Sequence, residues 1–306
     1  MASGESTVSF AMATVHRADE AAFQAPQFSE YVVVNSGTLE LLTVSANGAS
    51  VDKTTVEAGK GVFLPAGLPV KWTWPGPCKS SKNRTQRPSP HSLTPPYMDT
   101  GSYTVVCMPA FSPSTSGNEA NAASDTVVDR KSREALAAMH LTSNPTSPHQ
   151  PPPMKHKQHA PGITPLVVSP VAVVEAPGIT ISEHIGNVAC SEPLLSVARS
   201  VVKGASQEAW QAPGFDEYVI CTKGAIRFLY GDGRSEEIVA GQGVFLPKNL
   251  RVKWVWPEAT NYTVLCVPAF TPALCGREAE ENATVAKDSQ SMERLESLHQ
   301  KPPRSA

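Results

Sequence analysis

Apolar and polar positions alternate with a period of two along much of the chain. Val70-Lys71-Trp72-Thr73-Trp74 puts a valine and two indoles on one face and Lys71 and Thr73 on the other, and Val252-Lys253-Trp254-Val255-Trp256 has the same layout. Tyr31 to Val44, YVVVNSGTLELLTV, is two β-rich runs around Ser36-Gly37, which predicts a hairpin-like turn. YVICTKGAIRFLYGDGRSEEIV, from Tyr218, follows the same plan and adds a turn at Gly231-Asp232-Gly233. Helical spacing is confined to two polar stretches, one with Leu136 and Met139, the other with Leu295 and Leu298. The pattern predicts an all-β chain of short antiparallel strands in barrels or sandwiches, with a short helix after each strand set.

These stretches are two copies of one sequence. Ala58 to Pro75, AGKGVFLPAGLPVKWTWP, returns as Ala240 to Pro257, AGQGVFLPKNLRVKWVWP. Phe23 to Gly37 returns as Trp210 to Gly224, Tyr103 to Pro113 as Tyr262 to Pro272, and Ser132 to Leu141 as Ser291 to Gln300. A duplicated domain of roughly 100–130 residues follows, each copy long enough for its own core. Where copy one has Gly67, copy two has Asn249; both tolerate a left-handed backbone, so one turn geometry is expected in both. The first domain reads as 1–141 with an insert at about 76–101 that is basic, Ser- and Pro-rich and expected to be disordered. A Pro- and His-rich linker spans 142–163, and the second domain 164–301. Leu166 to Ile185 has no counterpart in copy one and is expected to supply shared or swapped strands.

Composition narrows the function classes. A formal net charge of −2 over 306 residues offers no electrostatic footprint for nucleic acid. No apolar run approaches the ~20 residues that span a bilayer, and the first twenty residues have neither a signal-peptide core nor transit-peptide character. The six cysteines form no CxxC pair, and Cys107 and Cys266 occupy matching apolar strands, which favours a reducing, cytoplasmic setting.

The ordered motifs resemble those of the cupin superfamily. Gly204, Glu217 and Gly224 fall at the Gly, Glu and final Gly of its first motif; Glu30 and Gly37 do so in copy one, where Arg17 replaces the first Gly. Gly59, Pro65 and Gly67, and then Gly241 and Pro247, follow the second motif. The resemblance covers most of both repeats and implies a bicupin: two tandem antiparallel jelly-roll barrels, paired within the chain or completed by a homodimer. The VCMPAFSP and VLCVPAFTP closing strands are most similar to small cupins of the ethanolamine-utilisation type.

The resemblance also implies a metal site of three His and one Glu, and here the chain departs from it. The first-motif His positions hold Phe23 and Ala25, or Trp210 and Ala212; the shorter spacing gives Gln24 and Pro26, or Gln211 and Pro213; the second-motif position holds Val70 or Val252. The eight histidines (His16, His91, His140, His149, His156, His159, His184, His299) all lie elsewhere. One carboxylate does not hold a transition metal against water, so no metal and no cofactor is expected.

Strand parity suggests what fills the interior instead. Val70, Trp72 and Trp74 share one face, as do Val252, Trp254 and Trp256, and family geometry turns Glu30 and Glu217 toward the same interior. The expected pockets are Glu30, Phe23, Trp72 and Trp74 in copy one, and Glu217, Trp210, Trp254, Trp256 and Cys221 in copy two. Aromatic rings filling a small barrel as plain core account for the tryptophans. They do not account for a carboxylate kept in both copies, whose burial costs several kcal/mol unless it is paired, hydrated or protonated. A carboxylate among indoles suits a small amine, with cation–π contacts worth roughly 0.5–2 kcal/mol each. The reading is therefore a non-catalytic or small-ligand-binding protein with no nucleic-acid or membrane partner. Two alternatives stay open. One is a metal-independent epimerase- or lyase-like enzyme using Glu30 or Glu217 with Tyr31, Tyr218, Tyr103 or Tyr262. The other is a metalloenzyme with Glu217, Gln211, Cys221 and Cys266 as substitute ligands.

Overall fold

The computed structural model describes residues 7–16, 19–20, 23–44, 50–75, 101–112, 115–116, 164–279 and 288–300. The chain divides between Val167 and Val168 into two compact units. The first holds β1 (Ser9–Val15), β2 (Asp19–Glu20), β3 (Ser29–Val44), β4 (Val51–Glu57), β5 (Gly61–Leu64), β6 (Val70–Trp74) and β7 (Gly101–Met108). β8 (Leu166–Val168), at the division, ends the strand order β1-β7-β3-β5-β8. The second unit has β9 (Val171–Ala176), β10 (Ile179–Ile185), β11 (Ser196–Val202), β12 (Ser206–Gln207), β13 (Asp216–Lys223), β14 (Ala225–Tyr230), β15 (Ser235–Val239), β16 (Gly243–Leu246), β17 (Val252–Trp256), β18 (Thr260–Val267) and helix α1 (Ser289–Gln300). The helix expected after copy one, the insert and the linker lie outside the described residues. No described helix is long and apolar enough to cross a membrane.

The pairings within β1–β7 and within β9–β18 are antiparallel, but among the described residues neither unit closes into the expected barrel. In the second unit the strands make two sheets, β16-β13-β18-β11-β10-β9 and β12-β17-β14-β15, each ending in edge strands. One core joins them: Val219 on β13, Phe228 on β14, Trp254 on β17 and Leu246 on β16 are buried in a single cluster. β9 and β10 therefore extend the second unit's own sheet rather than being exchanged.

Ser36-Gly37 is not a hairpin. The first half of β3 pairs with β5 and β7 and its second half with β4 and β6, with a register shift between Val34 and Ser36 and Gly37 at φ 78°. The counterparts β13 and β14 likewise take different partners on either side of Gly224. A Cβ on Gly224 would stand 2.5 Å from the Ala259 carbonyl oxygen, so only glycine fits this bend. A Ser-Gly pair signals a change of direction but does not say whether the strand folds back or changes sheets. The turn expected at Gly231–Gly233 is present and closes a hairpin between β14 and β15, with Tyr230 N–H donating to Arg234 at 2.9 Å.

The duplication is close at the backbone. Gly67 and Asn249 are both left-handed, at φ 76° and 64°, and their N–H groups donate to the carbonyls of Pro26 and Pro213, each at 2.6 Å. Gln24 bridges Val70 as Gln211 bridges Val252. The repeat also extends further upstream than the obvious sequence identities: β11 stands to β1, and β12 to β2, at the offset that relates Trp210 to Phe23.

Candidate functional site

The second unit encloses a cavity of about 100 Å³. Alternation builds its floor. Ile179, Ile181 and Glu183 on β10, Ser196, Ala198 and Ser200 on β11, and Tyr262, Val264 and Cys266 on β18 each lie two residues apart and face it. Trp254 and Trp256 form an aromatic wall with Tyr262, whose ring stacks on Trp256 at 6.0 Å and tilts against Trp254 at 5.4 Å. Glu217 on β13 enters opposite Cys266 and Leu246 in register.

Two irregular segments form the rim. Residues 208–211 run beside β17, with the N–H groups of Glu208 and Gln211 donating to Trp254 and Val252, both at 2.9 Å. Residues 274–278 add outside them: Ala212 N–H donates to Gly276 at 3.1 Å, Gly214 N–H to Leu274 at 2.8 Å and Glu278 N–H to Trp210 at 2.8 Å. This pairing brings Glu208, Gln211, Cys275 and Arg277 to the cavity. Leu295 on α1 covers it from a further side.

Burial sets the electrostatics. Glu217 is 6% exposed, and its Oε2 is without a hydrogen-bond partner. Burial pushes its pKa to about 8, against a smaller opposing pull from the Arg277 charge. Glu183 is pushed to about 7, although the N–H groups of Val188 and Ala189 donate to its Oε1 at 2.7 and 2.8 Å. Burial also raises the Cys266 thiol well above its usual range and the Cys275 thiol to about 11, and Cys275 donates to Gln211 Oε1 at 3.2 Å. The Arg277 guanidinium stands 3.8 Å from Glu208 Oε2 and donates to Met292 Sδ at 3.4 Å, while its Nε is buried without a hydrogen-bond partner.

Of the residues read from the sequence, Glu217, Trp254 and Trp256 come together at this cavity. Trp210 and Cys221 do not. The Gln211–Val252 bridge turns Gln211 to the cavity, so its neighbour Trp210 faces away and carries the Arg251 guanidinium 4.1 Å above its ring. Cys221 instead donates to the carbonyls of Lys223 and Gly224 at 3.4 and 3.5 Å. Lys253, on the strand face opposite the indoles, is also buried, at 7% exposed. In the first unit Glu30 is buried, its Oε2 without a hydrogen-bond partner and its pKa pushed to about 7. Trp72 and Trp74 are packed in the core against Tyr103, at 5.5 and 5.2 Å, and Phe23 is half-buried.

Glu208, Cys275 and Arg277 escaped the sequence reading because they sit on irregular segments without periodicity. A signal was nevertheless available: in the repeat they align with Ala21, Ser116 and Asn118, so they are places where two similar copies differ in chemistry.

The donor set does not suit the ion implied by the cupin resemblance. Among the described residues no three His, Cys, Asp or Glu are grouped to hold a metal. Val252, at the second-motif His position, is fully buried.

No family model matches the chain. It is 35% identical over 103 residues to the endoribonuclease YbeY of Myxococcus xanthus (strain DK1622), a match covering 33% of this chain and 35% of that protein. The chain thus spans about a third of the length of that curated relative. Among solved structures it is similar to oxalate decarboxylase from Bacillus subtilis at pH 4.6, with TM-score 0.54 and 12% identity, covering 87% of this chain and 70% of the other. A tryptophan-to-tyrosine variant of that enzyme gives the same figures. A structure concerned with its Mn(II) centres has TM-score 0.52 and covers 90% of this chain. At this identity the likeness shows the fold, and it fits the cupin resemblance.

Proposed function

We propose that the second unit is a binding module for a small organic amine and that the protein acts by binding rather than turnover. One observation carries this reading: a buried carboxyl with an unpartnered oxygen faces a cavity walled by Trp254, Trp256 and Tyr262. An ammonium group would give Glu217 its missing donor and place positive charge against aromatic faces. The cavity suits a small occupant, since one of about 150 Å³ takes a benzene molecule. The resemblance to ethanolamine-utilisation cupins points toward a short amine as well.

Calorimetric titration with ethylamine and ethanolamine tests the reading. Saturable binding is expected, weakened at least tenfold in Glu217→Gln. Absence of heat with every short amine, in protein whose melting is normal, sinks it.

A second reading, acid–base catalysis without a metal, is favoured by the Glu217 pKa of about 8, within reach of neutral pH, on a carboxyl that lines the cavity with Tyr262. Turnover of a small substrate, lost in Glu217→Gln at unchanged melting temperature, is the result that would install it.

A further inference from the structure

We propose that the occupant of this cavity is a small amino acid, its carboxylate held by Arg277 and its ammonium by Glu217. The inference rests on the cavity being a ligand site and narrows the ligand from an amine to a zwitterion.

Among the atoms without a hydrogen-bond partner at this cavity, two belong to groups of opposite charge, the buried Glu217 and the half-buried Arg277. Glu217 Oε2 accepts no hydrogen bond. Arg277 has five N–H donors and spends them poorly. Its Nε has no hydrogen-bond partner, its Nη2 is 3.8 Å from Glu208 Oε2, and its Nη1 meets the thioether sulfur of Met292. A separation of 3.8 Å is too long for a hydrogen bond, and a thioether is a weak acceptor. A guanidinium with unspent donors in one plane matches a carboxylate.

The balance of charge favours a ligand with both signs. Glu183, Glu208 and Glu217 face the cavity with one guanidinium, Arg277. A bare carboxylate reaching Arg277 meets three acidic groups. A bare ammonium reaching Glu217 meets the guanidinium without using it. A molecule of zero net charge that carries both ends serves Glu217 and Arg277 together, its ammonium meeting Glu217 once that carboxyl has given up its proton.

Size and wall chemistry agree. By comparison with the cavity of about 150 Å³ that takes benzene, about 100 Å³ suits an occupant no larger than benzene. Alanine and β-alanine, with the same number of non-hydrogen atoms as benzene, stand at the upper limit. Ile179, Ile181, Val264 and Phe215 offer an apolar surface for a methyl or methylene group. Arg277 and Glu208 belong to the second copy alone; the repeat has Asn118 and Ala21 in their places.

The test is calorimetry of the full chain with L-alanine, β-alanine, propylamine and propionate as separate probes. Expected is binding of one amino acid at least tenfold tighter than either propylamine or propionate. Arg277→Gln should abolish that amino acid's advantage over propylamine when both are titrated into the same variant. Equal affinity for propylamine and both amino acids overturns the zwitterion and leaves the amine site standing. Propionate binding best overturns both. The probe series on the unaltered protein decides the matter without any variant, so a misfolded Arg277→Gln does not shelter the proposal.

Discussion

Glu217 is a carboxyl that folding makes harder to ionise, and its sign has consequences. A folded-state pKa of about 8, above the ordinary 4.5, means that the native protein holds a proton the unfolded chain releases. That contribution to stability is fully present below about pH 4.5 and is lost as pH rises through 8. Glu30 in the first unit and Glu183 beside the cavity act in the same direction up to about pH 7. Thermal melts from pH 5 to 8.5 should therefore show falling stability. Glu217→Gln should fall less and be the more stable protein at pH 8.5, by on the order of 1–3 kcal/mol. A variant curve parallel to the parent's places the carboxyl in water rather than in the core. Ligand binding should have the opposite slope. An ammonium needs the ionised carboxylate, so affinity should rise up to about tenfold per pH unit until about pH 8. Glu217, Trp254 and Trp256 were legible in advance because side chains two apart on a strand share a face. Arg277 and Glu208 were not, since nothing in an irregular segment says which way a side chain turns. Gln211 shows the limit of motif spacing: one bridge to Val252 sent it inward and Trp210 outward.

At the scale of elements, the floor of the site is sheet and its rim is loop held edge to edge. Gly276 is the tightest point of the rim. Its φ is +58°, and a Cβ there would come within 2.5 Å of the Ala212 carbonyl oxygen. Gly276→Ala should push the segment carrying Cys275 and Arg277 outward. Affinity should fall at least tenfold while strand content by circular dichroism stays unchanged; undiminished affinity means the rim does not shape the site. Leu295 is the cover from α1, 2% exposed and at the cavity. Leu295→Ala should cost about 2–5 kcal/mol in denaturant unfolding. The enlarged space should admit butylamine as readily as ethylamine. Strand identities were legible from alternation, and the helix from its Leu295 and Leu298 spacing. The partners of β3 were not. Ser36-Gly37 marks a bend in the sequence, but only the pairing of its two halves with β7 and β6 shows that the strand changes sheets.

For the whole molecule, duplication has copied the fold more faithfully than the chemistry. Both units keep the glutamate opposite a cysteine, Glu30 with Cys107 and Glu217 with Cys266, and both keep the paired tryptophans. The rim differs. Copy two has Glu208, Cys275 and Arg277 where copy one has Ala21, Ser116 and Asn118. In the first unit Trp74 lies flat on Tyr103 and so close to Gly101 that a Cβ there would sit 2.7 Å from its ring. Trp256 stacks on Tyr262 in the same way in copy two, so the indoles do not set the two units apart. On the proposed reading a buried carboxyl alone does not make a site; the carboxyl acts together with the rim residues that only the second copy has. The protein should bind one ligand per chain, not two. Glu30→Gln should leave affinity within about a factor of two of the parent, because a shift confined to one unit's core does not reach the other's cavity. Glu217→Gln should abolish binding in the same titration. Two equivalent sites per chain, or equal losses from the two substitutions, would show that the glutamates and indoles common to both copies suffice, and that Arg277 and its neighbours do not define the site.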